Sequence, residues 1–97
     1  MDADWLERHT AKAPPVLRTR VHSYAAGPAD PLPDHLATAA DAALTQVLAH
    51  PGDRSVALDL LAADALITLA LLAQAQTAPE RLEEFAVSIL RVRRSAA

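Results

Sequence analysis

Two carboxylates, Asp59 and Asp64, lie inside the most apolar part of this 97-residue chain, the stretch VALDLLAADALITLALLAQAQ from Val56 to Gln76. A carboxylate in such surroundings can ligate a metal, exchange a proton, or pair with a cation at the edge of a buried helix. On a helix at 100° per residue the two point about 140° apart. That geometry does not let them share a metal or form an acid–base pair on that helix alone. The spacing therefore predicts edge groups, solvated or paired with Arg18, Arg20 or Arg54. Neutralising either one is expected to change stability by less than about 1 kcal/mol.

The remaining chemistry-bearing residues are scattered. His9, His22, His35 and His50 have no partner at the H-E-x-x-H or Glu-x-x-His spacing of metal-binding helices. Ser23, Ser55, Ser88 and Ser95 occupy no nucleophile elbow. Gly27 and Gly52 are the only glycines, too few for a phosphate-cradling loop. There are no cysteines, which removes disulfides, thiolate metal sites and cysteine nucleophiles. These absences lead us to expect a protein that is not an enzyme and carries no resident cofactor. The closing RVRRSAA brings three arginines together without aromatic stacking partners, and acidic turns precede it. It reads as a complement to a helix dipole, and nucleic acid is not an expected partner.

These residues must be positioned by helices. Aromatics make up 3% of the chain and glycines number two, while alanine and leucine supply most of the 52% hydrophobic content. Both are strong helix formers, so the fold class is all-α. A single domain over 1–97 can bury a thin core of small side chains. The opening MDADWLERH is acidic and amphipathic, unlike a secretory signal, so a cytoplasmic location is expected. The net charge of −3 is spread evenly along the chain.

Prolines punctuate the helices. Asp4–His9 suggests a short first helix, capped by Asp2 or Asp4 and ended by Pro14-Pro15. A second runs from Pro15 until Gly27-Pro28 stops it. The segment Gly27 to Asp34 is a loop, with Asp30 as N-cap and Pro31 at the first helical position. The third helix runs to about His50, with Leu36, Ala40, Leu44, Val47 and Leu48 on its apolar face. Asp53 or Ser55 caps a central helix over about 54–76. Thr77 and Glu80 match a capping box for the last helix, whose apolar face carries Leu82, Phe85, Ala86, Ile89 and Leu90.

The central helix is apolar on two opposite sides. Val56, Leu60, Ile67 and Leu71 form one; Leu58, Leu61, Leu69 and Leu72 form the other. Such a helix is expected to be buried by neighbours on both sides, with Asp59 and Asp64 on the narrow flanks and Leu66 beside one of them. A membrane span is not expected. Nine Val, Leu and Ile residues gain roughly 4 kcal/mol on insertion, against about 5–7 lost to two aspartates.

The sequence thus predicts four main helices plus a short N-terminal one. The expected role is a non-enzymatic interaction or assembly protein working through helix–helix contacts, with a protein partner or self-association, for instance as a homodimer. Trp5, Asp59, Asp64 and Leu66 are the candidate contact or ligand residues. The alternative is a small-molecule or metal-binding bundle that uses the histidines with Asp59 or Asp64.

Overall fold

Five helices form in the order and at the places the prolines dictate. A computed structural model describes residues 2–27 and 31–96, with side chains placed over 4–27 and 31–91. The helices are α1 (Asp2–His9), α2 (Pro15–Tyr24), α3 (Leu32–Ala49), α4 (Val56–Thr77) and α5 (Leu82–Ala96), and a 3-10 turn, Pro79–Arg81, precedes α5. No strand occurs among the described residues. The fold is a small all-α bundle with α4 at its centre.

The ends differ from expectation in instructive ways. α1 already includes Asp2 and Asp4, so neither stands before it as a cap. Asp30 lies outside the described residues; Pro31 takes the N-cap position of α3, one residue earlier than its expected place inside the helix. At α4 neither expected cap acts across the helix end. Asp53 Oδ1 instead accepts from the Ser55 backbone N–H and from its hydroxyl, both at 2.9 Å, making a turn just before the helix. That turn needs Gly52, whose φ of +84° is open to glycine and strained for other residues.

The capping box at Thr77 and Glu80 does not form. The Thr77 hydroxyl donates to the Ala73 carbonyl at 2.8 Å, one turn back, which carries α4 through Thr77. The chain breaks instead at Ala78, with φ −150°, and no side chain caps the turn that follows. A threonine near a helix end can bond backward as well as forward, and local sequence does not decide between the two.

The core is the contact between α3 and α4, a helical hairpin closed by the short connection 50–55; it is the most extensive helix pair in the fold. α3 buries Pro33, Leu36, Ala39, Ala40 and Ala43. α4 buries Asp59, Ala62, Ala63, Leu66, Leu69, Ala70 and Ala73. Both stripes are mostly alanine, so the two backbones can approach toward the short end of the roughly 8–10 Å range. Leu36 and Leu66 are the large, fully enclosed side chains of this seam.

This corrects the two-sided reading of α4. The alanine-rich flank, with Asp59 and Leu66, is the buried face. Of the two leucine-bearing sides, Leu60, Leu61 and Leu72 are exposed and only Leu69 is buried, while Val56, Leu58, Ile67 and Leu71 are half-buried. Close approach between helices selects for small residues, whereas hydropathy ranks leucine above alanine; a pattern of bulky residues therefore pointed to the wrong sides.

Candidate functional site

Asp59 is where the central helix carries its chemistry. It sits in the first turn of α4, on the buried stripe, and is only 7% exposed. α2 crosses here and presents two side chains one turn apart. Arg20 Nη1 lies 2.6 Å from Asp59 Oδ1, and the Tyr24 hydroxyl donates to the same oxygen at 2.7 Å. Arg20 was among the cations expected to pair. Tyr24 was not anticipated, nor was the burial of the carboxylate.

The electrostatics follow from this geometry. Burial pushes the Asp59 carboxyl up, but the Tyr24 hydrogen bond and then the Arg20 guanidinium outweigh it, and the group ends below the ordinary carboxylate range. Tyr24 moves the other way. Burial, then the bond to Asp59 and its negative charge, hold the phenol above its ordinary value. The cluster is thus an ionised carboxylate locked between two donors, with neither the carboxyl nor the phenol poised to exchange a proton near neutral pH. It is built to join α2 to α4.

Asp64 lies on the opposite side of the helix and is exposed. The structure does not bring the two aspartates together. Leu66 is wholly enclosed in the core, away from any surface a partner could touch in this fold. Trp5 is half-buried: its indole N–H donates to Gln76 Oε1 at 2.8 Å, and its ring stacks on His9 with centroids 4.0 Å apart. It pins α1 to the far end of α4.

The histidines are used as backbone ties. His9 Nδ1 donates to the Trp5 carbonyl at 2.7 Å, His35 Nε2 to the Ala25 carbonyl at 2.7 Å, and His50 Nδ1 to the Gln46 carbonyl at 3.1 Å. A carbonyl only accepts, which fixes the proton on each of those nitrogens. His22 Nε2 lies 3.0 Å from the hydroxyl of buried Thr10, which itself donates to the Leu6 carbonyl. Among the described residues no three His, Asp or Glu side chains converge as a metal site.

A cleft of about 280 Å³ opens where α5 meets the hairpin. Ala37, Leu44, Ile67, Phe85 and Ile89 make its apolar part, and Asp34, Thr38, Asp41 and Ser88 complete the lining. Sequence reasoning missed it, because it arises from how α5 lies against α3 and α4 and not from any motif.

The outer surface of α4 is also unusual. The most apolar 18-residue window of α4 has a mean hydropathy of 2.1, the helix is long and apolar enough by composition to cross a membrane, and 39% of that window is buried in the fold. Leu60 and Leu61 are more than half exposed, as are Val16, Leu48 and Leu90 elsewhere.

Comparisons with protein-family models, with curated proteins and with solved structures found no match. The functional reading rests on the chain itself.

Proposed function

We propose that this chain is a small non-enzymatic interaction module that works through helix–helix contacts, in the simplest case with a second copy of itself. The observation that carries the reading is the exposed apolar surface of α4, the helix on which the rest of the fold is assembled. Contiguous exposed apolar surface marks sites of association more often than idle surface. Small domains with thin cores also gain stability by oligomerising. The polar chemistry of the chain is consistent with this role, since Asp59, Arg20, Tyr24 and His35 are occupied in joining helices.

Light scattering over a concentration series tests the reading. The expected result is a mass that rises above that of one chain. Leu61→Glu should return it to one chain with the helical dichroism unchanged, because Leu61 is 55% exposed and its loss leaves the core intact. A chain that stays monomeric at high micromolar concentration removes the self-association form of the proposal.

A second reading has one observation in its favour. The cleft beside Phe85 has the mainly apolar surface of a small-ligand site, with Asp34 and Asp41 in its lining, and its volume falls just under the usual range of roughly 300–1,000 Å³. It would take a compact apolar molecule, held without the histidines or Asp59. Thermal shift against a panel of such molecules separates the readings, because a ligand of the native state raises apparent stability.

A further inference from the structure

We infer that the compact molecule fitting the cleft between α3 and α5 is an apolar primary amine, its body against Ile67, Phe85 and Ile89 and its ammonium held by Asp34. This deepens the small-ligand reading of the cleft and rests on it. The cleft is a space the chain leaves unfilled. α3 faces it with the short side chain of Ala37, between Asp34 and Leu44; α5 supplies Phe85, Ser88 and Ile89, and α4 supplies Ile67. The apolar groups come from three helices, so the volume of about 280 Å³ belongs to the assembled fold. Water in a mainly apolar space finds few partners, and an apolar body that replaces it is favoured.

The polar part of the lining sets the charge of the occupant. Asp34 and Asp41 both line the cleft, and an ionised carboxylate only accepts hydrogen bonds. The Ser88 hydroxyl spends its proton on the Phe85 carbonyl at 2.6 Å, so toward a ligand it too offers only lone pairs. Among the described residues no lysine, arginine or histidine lines this cleft. A wall rich in acceptors and without a cation suits a ligand that brings N–H donors and positive charge together. A carboxylate or phosphate would meet like charge there, with the Thr38 hydroxyl as its one side-chain donor.

Asp34 is the carboxylate placed to pair with the ligand. It is exposed, and among the described residues its side chain has no ion-pair partner. It stands where the apolar cleft meets a second, more polar one of about 370 Å³, and it lines both, as do Phe85 and Ser88. In that second cleft the donors are engaged within the chain. Arg81 is held to Glu84 at 3.0 Å, and the Gln74 amide donates to the Ala78 carbonyl at 3.1 Å. An ammonium at this junction has Asp34 and water around it, while its carbon skeleton enters the apolar cleft. From Asp34 to Leu44 the wall runs about 15 Å along α3, room for one ring and a short linker.

Probes of one shape and different charge test this. Cyclohexylmethylamine, cyclohexylmethanol and cyclohexanecarboxylate are titrated into the 97-residue chain at neutral pH and low salt, followed by amide NMR shifts. The amine should move the amides of α3 and α5 around the cleft. It should bind roughly fivefold more tightly than the alcohol, the upper scale of an exposed ion pair, with the carboxylate weakest. Asp34→Asn keeps the shape and removes the charge; it should abolish the advantage of the amine and leave the alcohol unchanged. Asp64→Asn, on the exposed side of α4, should do neither. Added salt should shrink the same advantage. Ala37→Leu, which fills the cleft, should end binding of every probe. An alcohol that binds as well as the amine, or an amine preference that survives Asp34→Asn, overturns the inference and leaves the small-ligand reading standing. No shift of the cleft amides by any probe overturns both. Amine binding that persists in Ala37→Leu places the amine elsewhere on the acidic surface and likewise overturns the inference.

Discussion

The two flanks of the α3–α4 hairpin are finished by different physics. On the α2 flank the closure is directional: Arg20 and Tyr24 both reach Asp59, and His35 ties α3 to the end of α2 through the Ala25 carbonyl. On the α5 flank the closure is apolar. Phe85 is buried there and Ile89 half-buried, and the cleft remains beside them. An alanine seam leaves shallow sides with little area to bury. Hydrogen bonds to one charged group set a unique position for α2, whereas a single aromatic side chain holds α5 without filling the space around it.

Phe85→Ala should break this contrast most strongly. Among the described residues it is the one large side chain that α5 buries, and its loss should cost about 3 kcal/mol, the lower end for a buried phenylalanine because the site is already partly open. Urea unfolding measures the loss. Hydrogen exchange should show α5 amides losing protection while those of α2 keep theirs. Equal loss in both helices would mean that the flanks are not independent.

Asp59→Asn probes the directional flank. Breaking a buried pair costs about 3–5 kcal/mol, but with the Arg20 side chain 37% exposed to water a loss of about 1–3 is expected. This replaces the smaller effect expected from sequence. Asp64→Asn, on the exposed side, should stay within about 0.5 kcal/mol, and equal effects at the two positions would contradict the geometry.

The same cluster gives stability a dependence on pH at both ends. Asp59 is depressed in the fold, so its contribution is full above the ordinary carboxylate pKa of about 4 and is lost as pH falls through the lower folded value. Tyr24 is raised, so its contribution is full below about 10 and is lost as pH rises through the higher folded value. Denaturant midpoints across pH should show both limbs; Asp59→Asn should remove the acid limb and only weaken the alkaline one, since burial is the first cause of the Tyr24 shift.

The smallest test enlarges one alanine on each flank. Ala37→Leu faces the cleft and should stabilise by about 0.5–1 kcal/mol through cavity filling. Ala25→Leu enters the packed α2 flank and should destabilise by about 1–3. Thermal melts of the two variants moving in the same direction would erase the distinction between the flanks.

How much of this was legible in the sequence varies by element. The helices themselves were, because prolines and helix formers act locally. The face of α3 was half legible: Leu36 and Ala40 are buried as expected, while Leu44 is half-buried and Leu48 is exposed. Leu44 borders the cleft that Phe85 and Ile89 leave open. The face of α4 was not legible, because that helix is apolar nearly all round and only its partner's shape selects the alanines. The burial of Asp59 was equally hidden. Its partners are 35 and 39 residues away, and a side chain's neighbours at that distance are set by how α2 crosses α4. Arg20 and Tyr24 stand one turn apart on α2, a spacing compatible with converging on one acceptor, but no local rule names the acceptor.

The seat of Trp5 gives the chain an optical gauge. The lone indole belongs to the N-terminal helix, yet its environment is set by Gln76 at the far end of α4 and by the His9 ring. Unseating that helix would wet the ring and redden its emission, while the dichroism, dominated by α3 and α4, would hardly change. If emission and dichroism melt together, the chain unfolds as one cooperative unit. If emission moves first, the N-terminal helix is a latch that opens on its own, and the colour of a single fluorophore reports it.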